Sequence, residues 1–420
     1  MIMNRIVQSI LIIFLMVVQP DFLLSYPFDG YHLTGIKRLE RLRLITEKEL
    51  KGTMPVPGAR KTVSDITLNL LDYHEEILTV STPVDTDLQR EIDALFPDRH
   101  ESYSLALLDI TPGKNPRYAT RQADRQFSPG SVGKLAIAAG LFTELQKLYP
   151  ESTEKRRELL RTRIVVADTW IHVDDHEIPF FDTETSTYIS RAAKDGDRFT
   201  LYEWVDHMLS ASANSAGSIV WKEVMLMHAF GSSYPPTYEQ EQEYFATTPR
   251  NVLRDIAMAT VNDPLRVIGI ELKDWQLGSF FTSNGKKIVP GGGTSYATPF
   301  GLLHYLVAME RGKLVDEWSS LEIKRLMYMT ARRIRYASSP ALNNAAVYFK
   351  SGSLYRCKPE PNFVCKKYMG NVDNYMNSVA IVEHPDGRTY LIALMSNVLR
   401  KNSAVEHQTL ATYIDRILEK

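Results

Sequence analysis

The sequence predicts a mixed α/β protein of the α+β type, and three observations carry that prediction. Strand-like segments stand at the start and at the end of the region from Asp85 onward, mostly helical sequence lies between them, and no internal repeat interrupts the plan. Strands supplied by both ends of a chain point to one sheet with a helical insert packed beside it. With 420 residues and 44% hydrophobic content there is enough apolar surface for one large domain carrying an appendage.

Taken in order, residues 1–25 open with Arg5 and an apolar run strongest from Ile10 to Val18, followed by Gln19-Pro20. The run is shorter than the roughly 20 residues of a membrane-spanning helix and suits a secretory signal. Leu23-Leu24-Ser25 is the nearest approach to a cleavage site. The expectation is export to a periplasmic or other extracytoplasmic space, with an uncleaved N-terminal membrane anchor as the rival. Residues 26–84 form an extension. Lys37, Arg38, Arg41 and Arg43 are interleaved with glutamates and read as a solvated helix face, Pro55 and Pro57 punctuate, and an apolar stretch follows from Ile66 to Leu71.

The main domain, residues 85–420, begins with a predicted helix over Asp87–Leu95 whose Leu88, Ile92 and Leu95 share a face. A strand over Tyr103–Ile110, a turn at Thr111-Pro-Gly113 and a strand near Arg117–Thr120 come next. At the far end stand a strand around Ser378–Val382, a turn at His384-Pro-Asp-Gly387, a strand over Tyr390–Met395 and an amphipathic helix near Val405–Leu418.

Net charge is −1 without a long single-sign block, which argues against a nucleic-acid partner and leaves a small substrate. The two cysteines, Cys357 and Cys365, are expected to close a small loop by a disulfide in an exported chain, free thiols being the alternative. His172-Val-Asp-Asp-His176 matches no standard zinc spacing and reads as a hydrogen-bonded loop, so no metal and no cofactor are expected.

Three short strings carry the chemistry: Ser131-Val-Gly-Lys134, Ser212-Ala-Asn214 and Lys350-Ser-Gly352. Ser131 follows Pro129-Gly130, and Lys134 leads into Leu135-Ala-Ile-Ala-Ala139, so serine and lysine are expected to open a buried helix with the amine in reach of the hydroxyl. Ser152-Thr-Glu-Lys155 and Ser283-Asn-Gly-Lys286 share the spacing but lie in a charged stretch and a polar loop. Ser212 and Asn214 sit in a polar interruption between helical segments. Lys350 follows the strand-like Ala345–Phe349, and Gly352 leaves room for a substrate backbone. Acyl transfer needs a nucleophile, a base, an oxyanion trap and a cation for an anionic substrate, and these residues can supply them.

The region from about Asp87 to the C-terminus resembles the serine β-lactamase and penicillin-binding superfamily, above all class A β-lactamases and related D,D-peptidases. Gly196-Asp-Arg-Phe-Thr-Leu-Tyr-Glu203 and Tyr296-Ala-Thr-Pro299 extend the likeness beyond the triplets. The resemblance implies an antiparallel sheet flanked by helices with an all-helical subdomain, and a β-lactam or cell-wall peptide as substrate. Carried over by motif, Ser131 would be acylated, Lys134 would activate it, and Ser212 would pass a proton to the leaving nitrogen. Asn214 would contact a substrate amide, Lys350 would hold Ser212 and attract a carboxylate, and Ser351 would bond that carboxylate. Backbone N–H groups of Ser131 and Ser353 would form the oxyanion hole. Apart from the resemblance, Arg356 just past the third string is either a second cation for a substrate carboxylate or a solvated strand-end arginine. The chain departs from the pattern in having no E-x-x-L-N string, whose glutamate activates the deacylating water. Glu271, then Asp174, Asp175 and Asp182, are the substitutes to consider. Segments of roughly 145–182 and 232–250 read as insertions around the cleft.

Overall fold

In the computed structural model, which describes residues 26–73, 76–172 and 176–420, the main elements begin with helices α1 (Lys37–Thr46) and α2 (Thr86–Asp93) and strands β1 (Ser104–Asp109) and β2 (Arg117–Arg121). Helices α3 (Lys134–Leu148), α4 (Leu201–Leu209), α5 (Asn214–Phe230), α6 (Arg250–Val267), α7 (Pro299–Glu310) and α8 (Glu317–Met327) follow. Strands β3 (Ala346–Arg356), β4 (Asp373–Glu383) and β5 (Thr389–Asn397) and helix α9 (Ala404–Glu419) complete the order. The expected signal segment, residues 1–25, lies outside the described residues. Among the described residues, no helix is long and apolar enough to cross a membrane.

The five strands make one antiparallel sheet in the order β2-β1-β5-β4-β3, assembled from both ends of the domain as the sequence predicts. The two ends meet where β1 pairs with β5, Ser104 opposite Met395 and Asp109 opposite Tyr390. Successive side chains point to opposite faces. Ala106, Leu108, Val379, Ile381, Leu391 and Ala393 enter the core built around α3, α5 and α7. Leu105, Leu107, Ala380, Val382, Ile392 and Leu394 pack with residues of α2 and α9. Both faces are covered, so Leu391-Ile-Ala-Leu-Met395 is apolar throughout rather than alternating. The terminal elements match expectation closely: Asp85 caps α2 by accepting from the Leu88 N–H at 2.8 Å, and Leu88 and Ile92 are buried beneath it.

The extension shares the main core. Tyr26, Ile36, Leu39, Ile66 and Leu70 belong to the same apolar cluster as α3 and α5. The hydroxyls of Tyr26 and of Tyr202 on α4 both donate to Glu322 on α8, each at 2.6 Å. Lys324, fully buried, is held by Glu310 at 2.6 Å, Glu383 at 2.7 Å and the Thr67 carbonyl at 2.6 Å. The expected solvated face on α1 holds for Arg43, which pairs with Glu40 and Glu47. It fails for Arg38, which is buried and donates through Nε and Nη2 to the Asp206 carboxylate of α4. A sequence run of basic residues does not reveal which one turns inward.

Candidate active site

Ser131 lies in a 3₁₀ turn, Gly130–Gly133, that runs into α3, whose first residue is Lys134. The serine therefore precedes the α-helix instead of opening it. Residues i and i+3 eclipse in a 3₁₀ turn, and Lys134 Nζ donates to Ser131 Oγ at 2.9 Å. The turn is fastened to the sheet: Asn377 Nδ2 on β4 donates to the carbonyls of Ser128 at 2.9 Å and Pro129 at 3.1 Å. A Cβ on Gly352 would stand 2.1 Å from the Pro129 oxygen, and one on Gly130, at φ +52, would stand 2.6 Å from the Ser353 nitrogen. The room expected at Gly352 for substrate is thus occupied by the nucleophile's own turn. Glycine at 130 lets the nucleophile's turn lie against the Ser353 backbone.

Ser212 joins α4 to α5 with φ +61, a left-handed conformation that costs a non-glycine residue roughly 1–2 kcal/mol. In this conformation its carbonyl accepts from Lys134 Nζ at 2.5 Å and its hydroxyl accepts from Lys350 Nζ at 2.7 Å. Asn214, at the start of α5, accepts from Lys134 Nζ through Oδ1 at 2.9 Å. Lys134 is therefore the hub that brings the first two motifs together, and Ser212 links the second to the third. Lys350 also donates to the Ser351 carbonyl at 3.1 Å. Burial, with Lys134 and Arg335 as neighbouring cations, pushes the Lys350 amine well below the ordinary lysine range.

Arg335 is the site residue that sequence reasoning missed. It sits in the 3₁₀ segment Arg335–Ser338 at φ +51, is 7% exposed, and donates to the Gly352 carbonyl at 2.7 Å and Ser353 Oγ at 3.1 Å. Of the two readings of Arg356, the solvated strand-end arginine holds, and the residue is not brought to the site as a second cation. At about 3.3 Å per strand residue it stands roughly 20 Å beyond Lys350, with its side chain 65% exposed and paired to Asp373. Ser351 and Gly352 are buried on β3 and Ser353 is half-buried.

The segment leading to the Thr298-Pro299 cap of α7 contributes no acid: from Trp275 to Ala297 there is neither Asp nor Glu. It places Phe281 beside Lys134, with the ring centroid 4.8 Å from Nζ. Glu271 is in an exposed turn and paired with Lys273 at 2.8 Å, a contact that lowers its carboxyl pKa. Asp182 accepts the N–H groups of Glu184 at 2.9 Å and Thr185 at 3.0 Å, which lower its carboxyl pKa as well. Asp174 and Asp175 lie outside the described residues. Of the flanking histidines, His172 faces Asp195 at 3.0 Å and His176 Nδ1 is 3.5 Å from Asn214 Nδ2. Among the described residues no group of His, Cys, Asp and Glu is arranged to hold a metal ion.

Cys357 and Cys365 are joined as a disulfide, the pairing expected from the sequence.

A family model described as the beta-lactamase enzyme family matches residues 87–415. Among solved structures, a beta-lactamase from Chitinophaga pinensis DSM 2588 is 15% identical with a TM-score of 0.51, the match covering 79% of this chain and 98% of that one. The TLA-3 extended-spectrum beta-lactamase is 14% identical with a TM-score of 0.52, again covering 79% of this chain and 98% of that one. At such identities the likeness is one of fold. A search of curated proteins by sequence gives no match. The family match runs from α2 to α9 and takes in every strand of the sheet and all three motifs, so the chain belongs to the beta-lactamase enzyme family.

Proposed function

We propose that the protein is an exported serine acyl-enzyme hydrolase acting on a β-lactam or a peptidoglycan-type amide. The observation that carries this reading is the Lys134 nitrogen, which contacts the Ser131 hydroxyl and the Asn214 amide oxygen, each at 2.9 Å, while Lys350 holds the Ser212 hydroxyl. With Lys134 in its neutral form and its lone pair turned to the Ser131 hydroxyl, Ser131 Oγ attacks the substrate carbonyl carbon as its proton passes to that amine, and the oxyanion is held by the N–H groups of Ser131 and Ser353. The carbon–nitrogen bond then breaks, Ser212 gives its proton to the leaving nitrogen, and Lys350 is placed to replace it. Asn214 meets the substrate amide. Lys350, Ser351 and Arg335 make the anionic end of the substrate welcome.

The absence of any acid from Trp275 to Ala297 favours a long-lived ester, as in a penicillin-binding D,D-peptidase or a protein that binds β-lactams without turnover. Nitrocefin turnover measured beside intact mass after penicillin distinguishes these readings. The expected result is an adduct that accumulates over minutes with slow turnover, and fast multiple turnover contradicts it. Ser131→Ala should abolish labelling by a fluorescent penicillin while the fold is retained. Labelling that persists, or that moves to Ser283, refutes the assignment.

A further inference from the structure

The hairpin that carries Lys350 continues past the cleft into a loop of its own. Residues 357–372 connect β3 to β4, and the Cys357–Cys365 disulfide closes the first part of this loop into a ring. Asn371 Nδ2 staples the loop by donating to the Lys358 carbonyl at 3.0 Å and to Glu360 at 2.7 Å, and Arg400 grips Glu360 from outside at 2.8 Å. Gly370 closes the return, where a Cβ would stand 2.0 Å from the Asp373 carbonyl. Three residues past the second cysteine, this scaffold presents Tyr368, itself in a left-handed conformation at φ +61. Its ring packs edge-on against Tyr355 at 6.0 Å and faces the Arg335 guanidinium, 5.1 Å from carbon to centroid.

That guanidinium is a group of the active site. Its bonds to Gly352 and Ser353 take two of its five N–H donors, and it lies close enough to Lys350 to oppose the lysine's charge. A guanidinium recognises a carboxylate as a planar fork, so its plane matters as much as its position. The sheet holds one edge of the guanidinium through those two bonds, and Tyr368 lies beside it with its hydroxyl in hydrogen-bonding reach. We propose that Tyr368, held by the disulfide-closed loop, is a positioning residue that orients Arg335 toward a substrate carboxylate, so that preference for carboxylate-bearing substrates depends on this loop. The proposal rests on the reading of the cleft as an acylation site, and its test separates the two.

Binding and acylation are measured apart. In a Ser131→Ala background, penicillin G and its methyl ester are titrated against otherwise native protein and against proteins carrying Tyr368→Leu, Tyr368→Phe, or Cys357→Ser with Cys365→Ser. With Ser131 present, acylation is followed by intact mass as a function of penicillin concentration. Tyr368→Leu and the double serine variant should weaken penicillin G binding by about tenfold, the scale of a lost charge-assisted contact, and leave ester binding unchanged. Tyr368→Phe, which keeps the ring but loses the hydroxyl in reach of Arg335, should bind the acid more tightly than Tyr368→Leu and more weakly than native. The acylation rate at saturating penicillin should stay the same in all three. The proposal is overturned if the Ser131→Ala parent shows no preference for acid over ester, if Tyr368→Leu keeps the preference, or if acid and ester are weakened alike. A native protein that shows the binding preference but never forms an adduct would refute the acylation reading and leave the role of Tyr368 standing.

Discussion

Lys134, Lys350 and Arg335 converge on one buried cleft, and burial first, with the repulsion of Lys134 and Arg335 added, drives the Lys350 amine well below its ordinary range. Such a cluster is costly to the fold and favourable to an anionic ligand, which relieves it. Lys350→Ala removes both the donor to Ser212 and a cation for the carboxylate. Acylation by penicillin should slow by more than about tenfold, read from the concentration dependence of adduct formation, and an unchanged rate would remove Lys350 from the site. The motif residues were legible because each string keeps its own short internal spacing, with Ser131 three positions before Lys134; the contacts that join the strings, Lys134 to Asn214 and Lys350 to Ser212, span the chain and were not. Arg335 was not. It is one of three arginines in Arg332-Arg333-Ile334-Arg335, and only its left-handed turn sends it to Gly352, while Arg333 donates to the carbonyls of Leu342 and Ala345. Arg356 drew attention by its nearness to Lys350 in sequence, and the extended rise of β3 carries it away.

Among the elements, the strands of the sheet and the helices at both domain ends were readable because apolar periodicity and turn residues mark them independently of tertiary context. The stretch from Trp275 to Ala297 was not: Ser283, read as part of a polar loop, opens the short helix Ser283–Ile288 between the paired strands Trp275–Gln276 and Tyr296–Ala297, and the residue it brings to Lys134, Phe281, looks like any core aromatic. Its position follows from packing. The ring lies against Lys134 where α3 and α5 come together, and a Cβ on Gly217 of α5 would stand 3.1 Å from Lys134 Cε and 3.4 Å from the Phe281 ring. Glu271, the nearest acid before this stretch apart from Asp274, is turned to solvent and neutralised by Lys273. Glu271→Gln should therefore leave the lifetime of the penicillin adduct within about twofold of native, the range expected of a surface change distant from the reacting atoms. Intact-mass decay curves test this, and a several-fold longer lifetime in the variant would reinstate Glu271 as the base.

For the whole molecule, the extension completes the core on which the cleft is built. α4, which ends just before Ser212, is gripped from outside by α1 through the Arg38–Asp206 pair, and Tyr26 ties α8 to the same layer. Burial pushes the Asp206 carboxyl up, and Arg38 pulls it back toward the ionised form. Arg38→Met strips away that compensation and strands a buried carboxylate, a change that costs about 3–5 kcal/mol at neutral pH. The sign of the pH dependence follows from linkage. The folded-state pKa of Asp206, already above its unfolded value, rises further without Arg38, so the folded state takes up a proton first, and the added penalty is full above the raised pKa and fades as pH falls through it. Urea unfolding of native and Arg38→Met protein at pH 7 and pH 5 should accordingly show a stability gap that narrows on acidification. A gap of equal size at both values would mean that lost packing, and not the stranded charge, accounts for the defect. A negligible gap at pH 7 would mean that the extension does not brace α4.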